Sequence, residues 1–327
     1  MESPAPIALR RHGLTYLLDT SPGISRHGKP GHFQYRCPTG KPVRDQKTLR
    51  RIRALAIPPA WTDVWISSSE KGHLAATGRD ARGRKQYRYH PYFVALRDRD
   101  KFDHLLIFAK ALPRIKKRAR SDIRKPGLSK EKILAAVILL LDETLIRIGN
   151  EDYARDNGSY GLTTLLNRHV KVKGPEIRFL FRGKSGRQWS LSIRDPRIAK
   201  VVRACQELPG QHLFEYRSED GQVHAIGSAD VNAYLQEISG DAITAKDFRT
   251  WAGTLLAAKA FSKCADRPNA ASVRKIVAAV ADQLGNTVAV CRRCYIHPAV
   301  ISAFLEGRLV LNSAGFEQNV IRFLART

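Results

Sequence analysis

The sequence predicts an α+β protein of two lobes, a small β-rich N-terminal domain over 1–98 and a larger, mainly α domain over 104–327. Three observations lead there. Residues 1 to about 95 are rich in Gly, Pro and aromatics and hold only short apolar alternations. From about 103 onward, apolar residues recur at helical spacing. Between the two lies the charged stretch Leu96-Arg-Asp-Arg-Asp-Lys-Phe-Asp103, which marks the boundary at 96–104 or forms an exposed helical turn there.

In the first lobe, 33–36, 64–66 and 73–77 read as short strands bounded by turn residues. A helix fits 45–55 and is stopped by Ile57-Pro58-Pro59. In the second lobe, 130–149 places Ile133, Val137, Leu140, Leu141 and Leu145 at helical intervals, with Gly149 as its stop. Further helices fit 228–238, 244–261 and 271–284. The second of these opens with a capping box in which Asp247 replaces the usual Glu, and the third closes at Gly285. Strand alternation interrupts the helices once, at 176–182 and 187–193. Gly183-Lys-Ser-Gly186 between these runs predicts a hairpin with Lys184 at its tip.

The chain carries 56 Lys+Arg against 30 Asp+Glu, a net charge of +26 and a pI near 10.3. Both lobes share the excess, +11 over 1–104 and +15 over the remainder. Two basic lobes suit a clamp around a polyanion, because phosphate neutralisation with counterion release supplies most of the affinity in such complexes. The five cysteines are odd in number and scattered, as expected of reduced thiols. Cys291-x-x-Cys294 lacks a second pair, and no metal site is expected. The N-terminus shows no signal-peptide pattern, and the longest apolar run, 133–141, is too short to span a bilayer. A protein in the cytoplasm, without a membrane partner, is the expectation.

Several reaction types lack their residues. There is no Gly-x-x-x-x-Gly-Lys-Ser/Thr loop, no Gly-x-Gly-x-x-Gly and no tight acidic cluster for two metals. A phosphodiester would have to be attacked by organic groups. A tyrosine can serve as nucleophile if guanidinium groups stabilise the phenolate and the charge on the non-bridging oxygens. A lysine on a flexible tip can protonate the leaving oxygen. The chain offers this set in order as Arg147, Lys184, Arg249 and Tyr295.

The blocks around these residues are Leu145-Ile-Arg-Ile-Gly-Asn-Glu-Asp-Tyr, Gly158-Ser-Tyr-Gly-Leu-Thr-Thr-Leu, Phe181-Arg-Gly-Lys-Ser-Gly, Lys246-Asp-Phe-Arg-Thr-Trp-Ala-Gly-Thr and Leu284-Gly-Asn-Thr, closing with Cys294-Tyr-Ile-His-Pro. In the first lobe, Ile57-Pro-Pro-Ala-Trp-Thr-Asp-Val-Trp-Ile and 77–91 add to them. Together they resemble the type IB DNA topoisomerases, in the compact poxvirus-like form found in bacteria, over roughly 25–315. The resemblance implies a catalytic domain of the type IB topoisomerase/tyrosine recombinase kind and relaxation of supercoiled duplex DNA by a monomer at the nucleoid. It implies that Tyr295 forms a 3′-phosphotyrosyl bond, that Arg147 and Arg249 hold the scissile phosphate, and that Lys184 protonates the 5′-oxygen. No cofactor is implied, neither ATP nor metal. The position nine before the tyrosine, often histidine in the poxvirus pattern, is Asn286, which can still donate a hydrogen bond to phosphate.

DNA contacts are expected from Gly83-Arg-Lys-Gln-Tyr-Arg-Tyr-His. Arg84 and Lys85 suit phosphates, Gln86 a base edge, and Tyr87 and Tyr89 packing on sugars or bases. Tyr153 and Lys246 are further candidates. The tyrosine recombinases share the Arg, Lys, Arg, Tyr order, but typically show His-x-x-Arg where this chain has Lys246-Asp-Phe-Arg249. Their N-terminal lobe is helical, whereas this one reads as strands and turns. A basic DNA-binding protein without activity is the remaining alternative.

Overall fold

A computed structural model describes residues 9–10, 12–264 and 268–327, with the backbone alone at 98 and 99. The N-terminal stretch read for a signal pattern lies largely outside them. The chain divides into two compact units, one ending at Lys101 and one beginning at Phe102. Antiparallel sheets and helices are mixed as an α+β fold requires, with a β domain leading and a mainly helical domain following.

The first unit is a five-stranded antiparallel sheet in the order β2-β1-β3-β4-β5, built from β1 (Gly23–Lys29), β2 (His32–Arg36), β3 (Thr62–Ser67), β4 (Leu74–Arg79) and β5 (Lys85–Tyr89). Helix α1 (Gln46–Ala54) starts at Asp45, whose carboxylate accepts from the N–H groups of Lys47 and Thr48. Its Ile52 packs with Ile24, Val64, Ile66 and Ala76 in a small core. The edge strand β5 leaves Lys85, Tyr87 and Arg88 exposed.

The long helix α2 (Pro91–Asp122) runs through the charged stretch 96–103, which is therefore helical. Only further along does it acquire an apolar stripe, where Leu105, Phe108, Leu112 and Ile115 are buried at i, i+3 and i+4 steps. The basic run 110–120 lies on this helix with Lys110, Lys117 and Arg120 exposed, while Lys116 pairs with Asp142 at 2.9 Å and Arg118 with Asp122 at 2.7 Å.

Helix α3 (Lys130–Thr144) is the axis of the second unit. Eight of its residues are buried on all sides, including Ile133, Val137 and Leu141. It ends at Thr144, five residues before the expected Gly149, because Leu145 turns left-handed with φ 56°. Arg147 thus sits on a loop, not on the helix. Helix α4 (Glu151–Asn157) follows, capped by the Asn150 side chain. A three-stranded sheet comes next: β6 (Val170–Lys173), β7 (Glu176–Arg182) and β8 (Gln188–Arg194) in sequence order. The β7–β8 hairpin has the predicted place, and Ile177, Phe179 and Phe181 alternate into the core. The remaining elements are α5 (Pro196–Gln206), the β9 (Glu215–Arg217) and β10 (Val223–Ala225) pair, α6 (Ser228–Ser239), α7 (Ala245–Ser262), α8 (Ala270–Leu284), α9 (Val288–Cys294), α10 (Pro298–Leu305) and α11 (Phe316–Leu324). Among the described residues no single helix is long and apolar enough to cross a membrane.

Candidate active site

Three chain segments far apart in sequence meet at Arg147, Arg249 and Tyr295. Arg147 stands on the 145–150 loop, which is pinned by the Gly158–Leu165 block. Leu162 N–H donates to the Arg147 carbonyl at 2.9 Å, and Thr163 donates to Ile148 from its N–H at 2.7 Å and its hydroxyl at 2.9 Å. The local purpose of the Gly-Leu-Thr-Thr motif is therefore to hold an arginine-bearing loop that has left its helix.

Arg249 lies one turn into α7. Asp247 opens this helix by accepting from the Thr244 N–H at 2.8 Å and hydroxyl at 3.0 Å, the capping box read from the sequence with a shorter acid. Arg249 is only 3% exposed. Its two Nη atoms donate to the carbonyls of Leu145 and of Leu284, the latter at 2.6 Å. One guanidinium thus ties the end of α3 to the end of α8, the two places from which Arg147 and Asn286 emerge.

Asn286 follows Gly285, the left-handed cap of α8. Its side-chain oxygen accepts from Arg147 Nη2, and the same Nη2 donates to the Gly285 carbonyl at 3.0 Å. With the oxygen so engaged, the amide nitrogen is the free end, and it is buried without a partner among the described residues. Arg249 Nε is in the same condition. Two unsatisfied buried donors, the Asn286 amide and the Nε of the Arg249 guanidinium itself, near the Arg147 guanidinium call for an acceptor-rich anion.

Tyr295 caps the C-terminus of α9 and is half-buried. Helices α9 and α10 bend by 100° across Tyr295–His297. The Arg249 guanidinium lies over the phenol ring at 5.2 Å from its centroid. Gly253, one turn beyond Arg249, backs the tyrosine so closely that a Cβ there would meet the Tyr295 carbonyl oxygen at 2.5 Å and its Cβ at 3.2 Å. Thr254 completes the seat, donating to the Tyr295 carbonyl at 3.5 Å and accepting from the His297 N–H at 3.1 Å. His297 itself caps α10, its Nδ1 accepting from Ala299 N–H, and its ring packs on Phe102. That is the structural role its position before Pro298 suggests.

The electrostatics are one-sided. Neither Arg147 nor Arg249 has a carboxylate partner among the described residues. Burial pulls the Arg147 guanidinium below its usual range, against an upward pull from Tyr295. Arg249 is pushed down to about 10, first by burial and then by Arg147, and stays charged at neutral pH. Burial also raises the Cys291 thiol to about 11, so it is inert as a nucleophile at neutral pH.

Lys184 lies on the turn between β7 and β8, exposed and without a hydrogen bond or ion pair among the described residues. Its turn is nonetheless fastened beside Asn286. Arg187 donates to the Asp282 carbonyl at 2.7 Å and to its carboxylate at 3.0 Å. Trp189, stacked on Phe181, lies against Gly285, where a Cβ would meet its ring at 2.7 Å. Sequence reasoning missed Arg187, Trp189, Gly253 and Thr254. The last two stand inside the Lys246–Thr254 block, and Arg187 directly follows the Gly-Lys-Ser-Gly turn, so proximity to the motifs was the available signal.

The other candidates fall in two groups. Tyr153 is 50% exposed on α4, six residues past Arg147, and Lys246 is exposed on the first turn of α7. Arg84, Lys85, Gln86, Tyr87 and Tyr89 belong to the N-terminal unit. Tyr87 and Tyr89 stack with centroids 6.1 Å apart. The cations there are already countered: Lys85 meets Asp19 at 2.5 Å and Arg84 meets Asp80 at 2.7 Å. Asp80 also accepts from the Gln86 amide at 2.9 Å, and the Arg84 contact holds its carboxyl down at about 2. Exposed pairs of this kind are weak enough for a phosphate to displace the carboxylate.

The family model of the eukaryotic DNA topoisomerase I catalytic core matches residues 85–304, and that of the bacterial DNA topoisomerase IB N-terminal domain matches residues 32–80. The chain is 34% identical to the DNA topoisomerase 1B of Acanthamoeba polyphaga mimivirus over 261 residues, 76% of this chain and 78% of that protein. It is 28% identical to the DNA topoisomerase 1B of vaccinia virus (strain Copenhagen) over 150 residues, 44% of this chain and 47% of that protein. A more distant relative is the DNA topoisomerase 1 of Mycosarcoma maydis, 25% identical over 59% of this chain and 21% of that protein. With a family model over most of its length and a relative of this similarity, the chain belongs to the type IB DNA topoisomerases.

Proposed function

We propose that the protein relaxes supercoiled duplex DNA with Tyr295 as its nucleophile. The observation that carries this reading is a buried guanidinium, Arg249, and a half-buried one, Arg147, uncompensated by carboxylate among the described residues and set against one phenol. Such a pair suits the charge that develops on a phosphate under attack.

The phenolic oxygen attacks the scissile phosphorus, the P–O5′ bond breaks, and the phenol proton passes to solvent. Arg147, Arg249 and the Asn286 amide hold the non-bridging oxygens, and Lys184 gives its proton to the departing O5′. The 3′-phosphotyrosyl bond conserves the energy of the broken one. After the free strand rotates, attack by O5′ restores the phosphodiester, so the cycle needs no ATP and no metal. Arg84, Lys85, Gln86, Tyr87, Tyr89, Tyr153 and Lys246 are the proposed DNA contacts. The enzyme is proposed to act as a monomer on the nucleoid in the cytoplasm, without a membrane partner. Incubation with supercoiled plasmid in EDTA without ATP is expected to give a ladder of relaxed topoisomers, and unchanged plasmid would count against the reading.

Two substitutions probe the parts. Lys184→Ala is expected to slow cleavage by about 10²–10⁴-fold, the ordinary range for a general acid. A substrate with a 5′-thiolate leaving group needs no proton and is expected to recover most of that loss, and absence of recovery would remove Lys184 from the role. Gly253→Ala forces Tyr295 off its seat. Misplacement of a reacting group by about 1 Å costs on the order of 10²-fold, so single-turnover cleavage is expected to fall by that much while duplex affinity holds.

A further inference from the structure

The second unit contains a basin that shares no residue with the site around Tyr295. It lies where the turn after α2 meets the first turn of α3, the middle of α5 and the end of β9, and its volume is about 680 Å³. Pockets of about 300–1,000 Å³ are the size that small organic ligands occupy. Five cations line it, Arg124, Lys125, Lys132, Lys200 and Arg217, against one carboxylate, Glu207. Its apolar lining includes Leu128 and Val201.

The cations are not there to balance acids. Among the described residues, Lys125 alone of the five has a carboxylate partner, Asp122 at 3.3 Å. Lys132 donates to the Lys125 carbonyl at 2.7 Å, which fixes its ammonium at the basin wall. Among the described residues, the Arg217 guanidinium donates only to the Gly221 carbonyl, at 3.5 Å, and Arg124 and Lys200 have no carboxylate partner. Burial holds the Lys132 ammonium below its usual range, and the charge of Lys200 lowers it further, so the two ammonium groups repel across the basin. Four cations without carboxylate partners against Glu207 leave a surplus of about three positive charges on a concave surface with an apolar part.

We infer that this basin binds a small polyphosphate, an anion of two or three linked phosphates, with the apolar wall available to an attached nucleoside. One phosphate would leave both the charge and the volume largely unmet. The inference is independent of the assignment of Tyr295.

Isothermal titration of the full chain with pyrophosphate, tripolyphosphate and ATP tests it. Submillimolar binding is expected, weakened at least tenfold in the double variant Arg124→Glu/Lys200→Glu and in Lys132→Met, and unchanged in Arg147→Gln. ATP binding more tightly than tripolyphosphate would identify a nucleotide as the ligand class, and equal affinity would identify the phosphate chain alone. The double variant, whose changes lie on exposed side chains, is expected to relax plasmid at the wild-type rate. Three results would overturn the inference: no binding at millimolar concentration, binding lost in Arg147→Gln yet kept in the double variant, or a double variant that loses affinity only for a short duplex.

Discussion

Tyr295→Phe is expected to abolish relaxation and covalent adduct formation while leaving duplex affinity nearly unchanged. Removing the nucleophile of an enzyme that works through a covalent intermediate lowers its rate by about 10⁵-fold or more. The substitution deletes one oxygen and keeps the rest of the seat. The ring remains against the Arg249 guanidinium, 5.2 Å from its centroid, and the backbone contacts to Gly253 and Thr254 do not involve the hydroxyl. Loss of activity without loss of stability or binding is therefore the signature. A Tyr295→Phe protein that still forms the adduct would transfer the role to another residue.

Arg249→Gln is expected to have the next largest effect, and on two quantities at once. Single-turnover cleavage should fall by at least about 10²–10³-fold, the loss seen when one preorganised oxyanion donor is removed. Stability should fall as well, because Arg249 satisfies the carbonyls of Leu145 and Leu284 from a buried position. Each carbonyl left unsatisfied costs roughly 1–3 kcal/mol. The urea midpoint of unfolding separates the two effects. Arg249→Lys keeps the charge but loses the planar fork that spans both carbonyls, so it should recover some cleavage and less of the stability. Wild-type cleavage in Arg249→Gln would show that the phosphate is held elsewhere.

The parts of this molecule that sequence reveals are the ones governed by local periodicity. The β7–β8 hairpin shows in its alternation, and α7 shows in its capping box and apolar repeat. Helix α3 shows its existence but not its end. Apolar spacing continues through Leu145, but the helix stops at Thr144, where Leu145 turns left-handed and the chain beyond gives the Arg147 carbonyl to Leu162 and the Ile148 carbonyl to Thr163, residues that no local pattern pairs with them. The charged run 96–103 reads as a boundary, and the two compact units divide within it, between Lys101 and Phe102; with no glycine or proline to break a helix, α2 nonetheless passes through it.

The candidate site was legible for a different reason. Arg147, Arg249, Asn286 and Tyr295 are more than a hundred residues apart at the extremes, and their order was readable only as a family resemblance. What the order could not convey is how each is held. Arg249 acts as a tie between α3 and α8 as well as a cation, Gly253 sets the depth of the tyrosine, and Arg187 with Trp189 fastens the Lys184 turn to α8. These roles depend on which surfaces meet. The neutral Asn286 is part of the same logic: its oxygen is spent on Arg147, which leaves its buried amide donor for the ligand.

The most direct test is to quench a cleavage reaction on a duplex with denaturant, digest the protein, and locate the linked nucleotide by mass spectrometry. A single phosphotyrosyl peptide containing Tyr295 and joined to a DNA 3′-end is expected. Linkage through any other residue, or to a 5′-end, would contradict it.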